Sequence, residues 1–331
     1  MIDAKKYALV DLHLHLDGSI SKESAKVLAK MQGIEICSDE ELERKLSVDK
    51  DCRDLCEYLE KFDFPLSLLQ SKEAISEAVY MLCEELLGKG LAYAEIRFAP
   101  QLHCDRGLSQ EEVVEAAIKG MRRSSMLVTL ILCCMRGEGL YEKNILTLNV
   151  AKTFLGQGVG AVDLAGAESL YPNEKFVDVF AYAKENGIPF TIHAGEADGA
   201  LSVRSAIDMG ACRIGHGVRS FEDKELLCEI AERGIALELC PTSNLNTKVF
   251  DSIENYPIEN FLLADVPITI NTDNMSVSNT TLADEFEKLA SVYEFSKEEL
   301  EKIVRTAVTV SFADLATKEK VLARIEGNFK I

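Results

Sequence analysis

Asp11-Leu12-His13-Leu14-His15-Leu16-Asp17-Gly18 alternates as a β-strand does. Val10, Leu12, Leu14 and Leu16 share one face; Asp11, His13 and His15 share the other. Two imidazoles two residues apart point the same way and can bind one metal ion together. The Asp-Gly pair ends the strand in a turn, which leaves both imidazoles at its mouth. A half-buried strand whose polar face merely carries histidine gives the same pattern, so the meaning of the stretch depends on what else reaches that mouth.

Similar apolar, β-rich runs recur along the chain: Tyr7–His15, Tyr93–Phe98, Leu127–Cys133, Gly160–Leu164, Pro189–His193, Arg213–Gly215, Ile235–Cys240 and Val266–Asn271. Helical patterns fill the intervals. Ser71 N-caps a helix that buries Ile75, Val79, Leu82 and Leu86 and stops at Gly88 or Gly90. Ser109-Gln110-Glu111-Glu112 has the capping-box form. Asn173 to Lys184 and Phe221 to Arg233 are amphipathic and end at Asn186-Gly187 and Gly234. Eight strands alternating with helices predict an α/β fold, a (β/α)8 TIM-type barrel, and residues 1–331 read as one barrel domain with no linker or low-complexity break. A doubly wound sheet is the alternative, but no switch point or nucleotide loop supports it; Gly156-Gln157-Gly158-Val159-Gly160 precedes a strand and opens no helix, so it reads as a turn. The interval 18–91 is too long for an ordinary crossover and predicts a helical insertion after strand 1, at the carboxyl end of the barrel. Tyr58-Leu59-Glu60-Lys61-Phe62-Asp63-Phe64-Pro65 within it reads either as a hydrophobic lid, with Phe62 and Phe64 on the pocket, or as an excursion packed on the barrel side.

Composition narrows the class. The chain has 331 residues, 47% of them hydrophobic, and a net charge of −19. Such a charge repels nucleic acid and anionic membranes and disfavours a phosphorylated substrate, so a neutral small molecule fits best. The most apolar run, Met126 to Met135, falls well short of a bilayer span, and the amino terminus carries acids where a signal peptide is apolar. These features predict a cytoplasmic protein whose ten cysteines are reduced and mostly buried. Cys133 and Cys134 are adjacent and should face opposite sides of a strand. No CxxC pair exists, which leaves a thiolate zinc site without its signature.

The chain has only five histidines, and His13, His15, His193 and His216 all lie at or just after a predicted strand end. Barrel strand ends converge on one face whatever their separation in sequence. His193-Ala194-Gly195-Glu196 follows strand five, Gly215-His216-Gly217 strand six and Asn271-Thr272-Asp273-Asn274 strand eight. Three imidazoles and a carboxylate suit a borderline divalent ion such as zinc, with an open position for water. Zinc brings that water's pKa near neutrality and makes a hydroxide nucleophile. Glu196, three residues from a ligand, is placed to serve as acid or base. His216 reads as a fourth imidazole ligand or, preferably, a base, and its flanking glycines point to close packing. His103 follows strand two and takes no catalytic role. Asp11 reads either as a partner for a ligating imidazole or as an inward-facing polar residue.

HLHLDG, DLAGAE, HAGE, GHG and NTDN, in that order and each after a strand, resemble the adenosine deaminase family of metal-dependent hydrolases. The likeness runs from Asp11 to Asn274 and continues weakly into the C-terminal helices. It implies that His13, His15, His193 and Asp273 hold one zinc per chain, with His15 also facing substrate and Asp273 also sharing in catalysis. Asp17 would meet a ribose hydroxyl and Gly166 a purine ring nitrogen. Glu196 would protonate the ring nitrogen beside the attacked carbon, and His216 would orient the hydroxide, take up its proton and steady the tetrahedral intermediate. The departure is Asn274, where many members carry a second aspartate; it would read the purine base. The implied reaction is hydrolysis of adenosine, with 2′-deoxyadenosine, to inosine or 2′-deoxyinosine and ammonia. Adenine, a thio-modified adenosine or AMP is the alternative substrate, and a catalytically inactive nucleoside-binding protein the alternative class. The cytidine-deaminase pattern, H-x-E with P-C-x-x-C, does not occur.

Overall fold

The computed structural model describes residues 4–49 and 51–329. Eight strands occur among them: β1 Val10–His15, β2 Tyr93–Phe98, β3 Val128–Met135, β4 Val159–Ala165, β5 Thr191–Ala194, β6 Arg213–His216, β7 Ala236–Leu239 and β8 Ile268–Ile270. Each coincides with an apolar run read from the sequence, trimmed or extended at its ends. Pairing is parallel throughout, in the orders β1-β2-β3-β4 and β5-β6-β7-β8.

Two seams join these sheets into a barrel. At one, Val162 pairs with Phe190 and its N–H donates to the Pro189 carbonyl at 3.0 Å. At the other, β1 meets the segment after β8. The Asp273 N–H donates to the His13 carbonyl and the His15 N–H to the Asp273 carbonyl, both at 2.7 Å. Asp11 reinforces this seam, because its carboxylate accepts from the Thr272 hydroxyl at 2.6 Å and from the His13 N–H at 3.1 Å. Its partners are therefore backbone and hydroxyl groups, not an imidazole. β1 also departs from simple alternation. Asp11 and Leu14 pair with Ala94 and Ile96, so an extra residue bulges between them and redirects the histidines.

The helices start where the caps place them. Ser71 accepts from the Ala74 N–H at the head of Lys72–Gly88, and Ser109 and Glu112 close a capping box on Gln110–Met121. Two boundaries differ from expectation. Asn173–Phe176 and Val218–Glu222 are 3-10 turns, and the helices proper begin at Val177 and Lys224, the latter capped by Asp223. Between β1 and β2 lie the helices Lys22–Gln32, Asp39–Leu46, Leu55–Leu59, Asp63–Leu68 and Lys72–Gly88. Aliphatic side chains such as Leu12, Leu14, Ile96 and Leu132 fill the main core, whereas Arg97, Arg213, Glu95, Glu238 and Asp163 are buried without solvent contact. Five cysteines are buried, Cys104 is half-buried, and Cys37, Cys56, Cys212 and Cys228 reach solvent; all ten are free thiols. The expectation of mostly buried thiols thus holds for half of them. Among the described residues no helix is long and apolar enough to cross a membrane.

Candidate active site

His13 and His15 end β1, His193 lies in β5 and Asp273 follows β8, so the barrel brings together residues from both ends of the chain. One ligand atom from each falls in a single buried cluster. His193 Nε2 lies 3.0 Å from His13 Nε2 and 3.3 Å from His15 Nε2, and Asp273 Oδ1 lies 3.4 Å from both of those nitrogens. A zinc ion with ligands at 2.0–2.1 Å sets tetrahedral ligand edges of about 3.3 Å. The rings are also oriented for it. Glu238 Oε2 accepts from His13 Nδ1 at 2.8 Å, and Asp163 Oδ2 accepts from His193 Nδ1 at 2.9 Å. With both Nδ1 atoms protonated, the two Nε2 lone pairs face each other at 3.0 Å, an arrangement that a cation between them stabilises. The donor set therefore fits a divalent metal.

Behind the ligands lies a second layer of charge. Arg97 donates to Asp163 at 2.9 Å, to Glu238 at 2.8 Å and to the Leu12 carbonyl at 2.6 Å. Arg213 donates to the other Glu238 oxygen at 2.6 Å and to Glu95 at 2.5 Å. Arg97 and Glu238 hold the Asp163 carboxyl and His13 in one network with no solvent, where partial pairing would be costly. Of these residues the sequence reading singled out His13 and quoted Asp163 within DLAGAE; Glu95, Arg97, Arg213 and Glu238 were missed. The signal was there: charges within an otherwise apolar parallel strand, as Glu95 and Arg97 in Tyr93-Ala94-Glu95-Ile96-Arg97-Phe98, have only the barrel interior to face.

The cluster opens into a mainly apolar cavity of about 210 Å³. Glu196 lies in its wall, with Oε1 3.6 Å from His216 Nε2. Burial pushes the Glu196 carboxyl well above the ordinary carboxylate range, and the Asp273 and Glu168 charges push it further. His216 rests against the rings of His13 and His193, with Asn244 Nδ2 3.1 Å from its Nδ1. Its Nε2 makes no hydrogen bond to the protein. Both His216 and Asp273 adopt left-handed φ, 56° and 61°, a conformation seldom taken by residues with a Cβ and concentrated at functional sites. Gly215 is needed for contact: a Cβ there would sit 3.1 Å from His13 Cε1 and 3.2 Å from His193 Cα.

Asp17, Gly166 and Asn274 line the same cavity. Burial raises the Asp17 carboxyl to about 6. Asn274 presses so closely on the Asp17-Gly18 turn that a Cβ on Gly18 would overlap its Oδ1, and that oxygen has no protein partner. Phe62 and Tyr58 cover the cavity from the segment after β1, with the Phe62 ring 6.4 Å from that of His15. Phe64 does not join them. It packs on the main core beneath Lys45, because a 3-10 turn at Glu60–Phe62 gives way to the helix Asp63–Leu68 and rotates it away. His103 is a core histidine whose Nδ1–H donates to the Leu69 carbonyl at 3.0 Å, and burial lowers its pKa to about 4. Cys133 faces the cavity while Cys134 points to the Asn144 carbonyl on the opposite side of β3.

A protein-family model described as adenosine deaminase matches residues 8–328. The chain is 43% identical over 334 residues to the adenosine deaminase of Haemophilus ducreyi, across 98% of this chain and 97% of that protein. It is 38% identical over 324 residues to the adenosine deaminase of Clostridium acetobutylicum, with 96% of each covered. Among solved structures, the adenine deaminase of Arthrobacter aurescens is similar with a TM-score of 0.86 and 26% identity, covering 98% of this chain and 100% of that one.

Proposed function

The chain belongs to the adenosine deaminase family, and from that premise we propose that it hydrolyses adenosine and 2′-deoxyadenosine to inosine and 2′-deoxyinosine, releasing ammonia. The observation that carries this is a four-residue set of metal-binding side chains meeting, in one apolar cavity, a buried carboxyl whose pKa burial raises. His13, His15, His193 and Asp273 hold the metal, for which zinc, one ion per chain, suits the donor set. When bound, zinc acidifies a water and so supplies the oxygen nucleophile.

The remaining work falls to side chains of this protein. Glu196 donates its proton to the ring nitrogen next to the attacked carbon, which makes that carbon electrophilic. His216 turns its free Nε2 to the attacking oxygen, orients it, and accepts its proton. Asp17 binds a ribose hydroxyl, the Gly166 backbone meets a ring nitrogen, and Asn274 reads the imidazole side of the base. Tyr58 and Phe62 exclude water from above. The choice of nucleoside over nucleotide rests on charge. No lysine or arginine is among the described residues lining the cavity, and Asp17 and Asp63 both reach it, so no lysine or arginine there is placed to pair with a 5′-phosphate. Ten free thiols fit a reducing, cytoplasmic setting.

The test is to mix the purified protein with adenosine, 2′-deoxyadenosine, adenine and AMP while following ultraviolet absorbance and released ammonia, with and without a strong chelator. Turnover of the nucleosides that the chelator abolishes is expected. Preference for AMP or adenine, ammonia release from the fully demetallated protein, or nucleoside binding without ammonia overturns the proposal.

A further inference from the structure

Glu168, in the loop after β4, is fully buried, yet it neither belongs to the metal cluster nor lines the cavity. Its carboxylate collects five donors. Oε1 accepts from the Gly195 N–H at 2.7 Å and the Ser202 hydroxyl at 2.5 Å. Oε2 accepts from the N–H groups of Glu196, Ala197 and Asp198 at 3.0, 2.6 and 3.1 Å. Four successive amides turned onto one anion form a nest, and such a nest fixes the backbone that makes it. Gly195 enters it at φ 68°, so the chain turns sharply just after β5 and Glu196 leaves the strand pointing into the cavity.

The neighbouring metal ligand is secured by other means. His193 sits in the β5 ladder, its carbonyl accepts from Arg136 at 2.6 Å and its ring is held by Asp163. Loosening the nest is therefore expected to move Glu196 and to leave His193 in place.

We propose that Glu168 is a positioning residue that acts through Glu196: its carboxylate gathers the 195–198 amides and thereby aims the proton donor at the substrate. The proposal rests on the assignment of Glu196 as that donor. A brace serving stability alone would show the same hydrogen bonds, so the two roles are separated by kinetics.

The experiment is a double-mutant cycle on zinc-loaded protein: wild type, Glu168→Gln, Glu196→Gln and the double variant, assayed on whichever panel compound the wild type turns over best. A neutral amide offers one acceptor where two are needed, and a displacement on the order of 1 Å costs about a hundredfold in kcat. Glu168→Gln is expected to lose about that much in kcat, with KM and zinc content nearly unchanged. In the Glu196→Gln background the same change should cost less than about threefold, because the group it positions has already been disabled. Losses that multiply, a loss carried by KM, or zinc depletion matching the lost activity would overturn the role. Should Glu168→Gln fail to fold, Glu168→Asp keeps the charge, withdraws it by one methylene and enters the same cycle with the same expectation. A best substrate of adenine or AMP would sink the functional reading and leave the cycle interpretable.

Discussion

Glu238→Gln removes one oxygen's worth of acceptor from the carboxylate that ties His13 to both buried arginines. Four donors converge on Glu238: His13 Nδ1 and Arg97 on Oε2, Arg213 Nε and Thr191 Oγ1 on Oε1. An amide can serve only one of these pairs. With its oxygen toward His13 and Arg97, the amide NH2 faces Arg213; Thr191 can rotate to accept from it, but the arginine cannot. With its oxygen toward Arg213, the NH2 faces His13 Nδ1 and favours the tautomer whose Nε2 carries a proton and cannot ligate. The first arrangement is the cheaper. It still forfeits a charge-assisted bond worth about 1.5–3 kcal/mol and leaves two buried arginines with one anion fewer, a change that in buried pairs costs about 3–5 kcal/mol in all. Loss of the carboxylate behind His13 should also weaken metal binding by about 10–100-fold. Urea denaturation of the chelator-treated protein reads the first quantity, and competition with a fluorescent zinc chelator reads the second. A Gln variant as stable as wild type, holding zinc as tightly, would refute the idea that Glu238 carries the network.

Three further outcomes are expected. Only protonated Glu196 can donate, and burial raises its pKa, so kcat should fall as pH rises through that raised pKa; Glu196→Gln should cost about a hundredfold, keep its zinc and lose this alkaline limb, and a variant profile that retains the limb would assign the ionisation elsewhere. Phe62→Ala should raise KM for adenosine, whereas Phe64→Ala, on the far side of the turn, should leave kinetics unchanged; equal effects would contradict the orientation of the two rings. Asn274→Ala should cost about 1–3 kcal/mol in kcat/KM for adenosine, the scale of an unpaired buried group, and much less for 7-deaza-adenosine, which lacks the ring nitrogen it would contact.

The eight strands were legible because a parallel strand buried on both faces has to be apolar along its length, and the turns that follow carry Gly, Asn or Asp. The ligand histidines were legible for a related reason: polar residues closing such runs have nowhere to point except the barrel mouth. Three features stayed hidden. The bulge between Asp11 and Leu14 is set by pairing with β2, which a single strand does not encode. The split between Phe62 and Phe64 depends on a change from 3-10 to α geometry at Asp63, beyond the reach of periodicity over so short a segment. Glu168 was quoted within DLAGAE, but its partners are backbone amides of residues 195–198, and backbone amides leave no mark in sequence.

The seam where Asp273 bridges back to β1 gives the metal a place in the order of folding. Thr272 and Asp11 bond across 261 residues of chain, and the Asp273 peptide spans nearly as far to His13 and His15. Contacts that distant form late, since the loop they close must first give up its entropy. A growing chain that has emerged only as far as β7 already owns three of the four ligands but has no neighbour for the open edge of β1. The fourth ligand arrives with the segment that covers this edge, so full coordination and barrel closure become a single event. A metal held by these four residues would clasp the first strand to the last, and its uptake during refolding should coincide with seam closure rather than with the earlier appearance of helix.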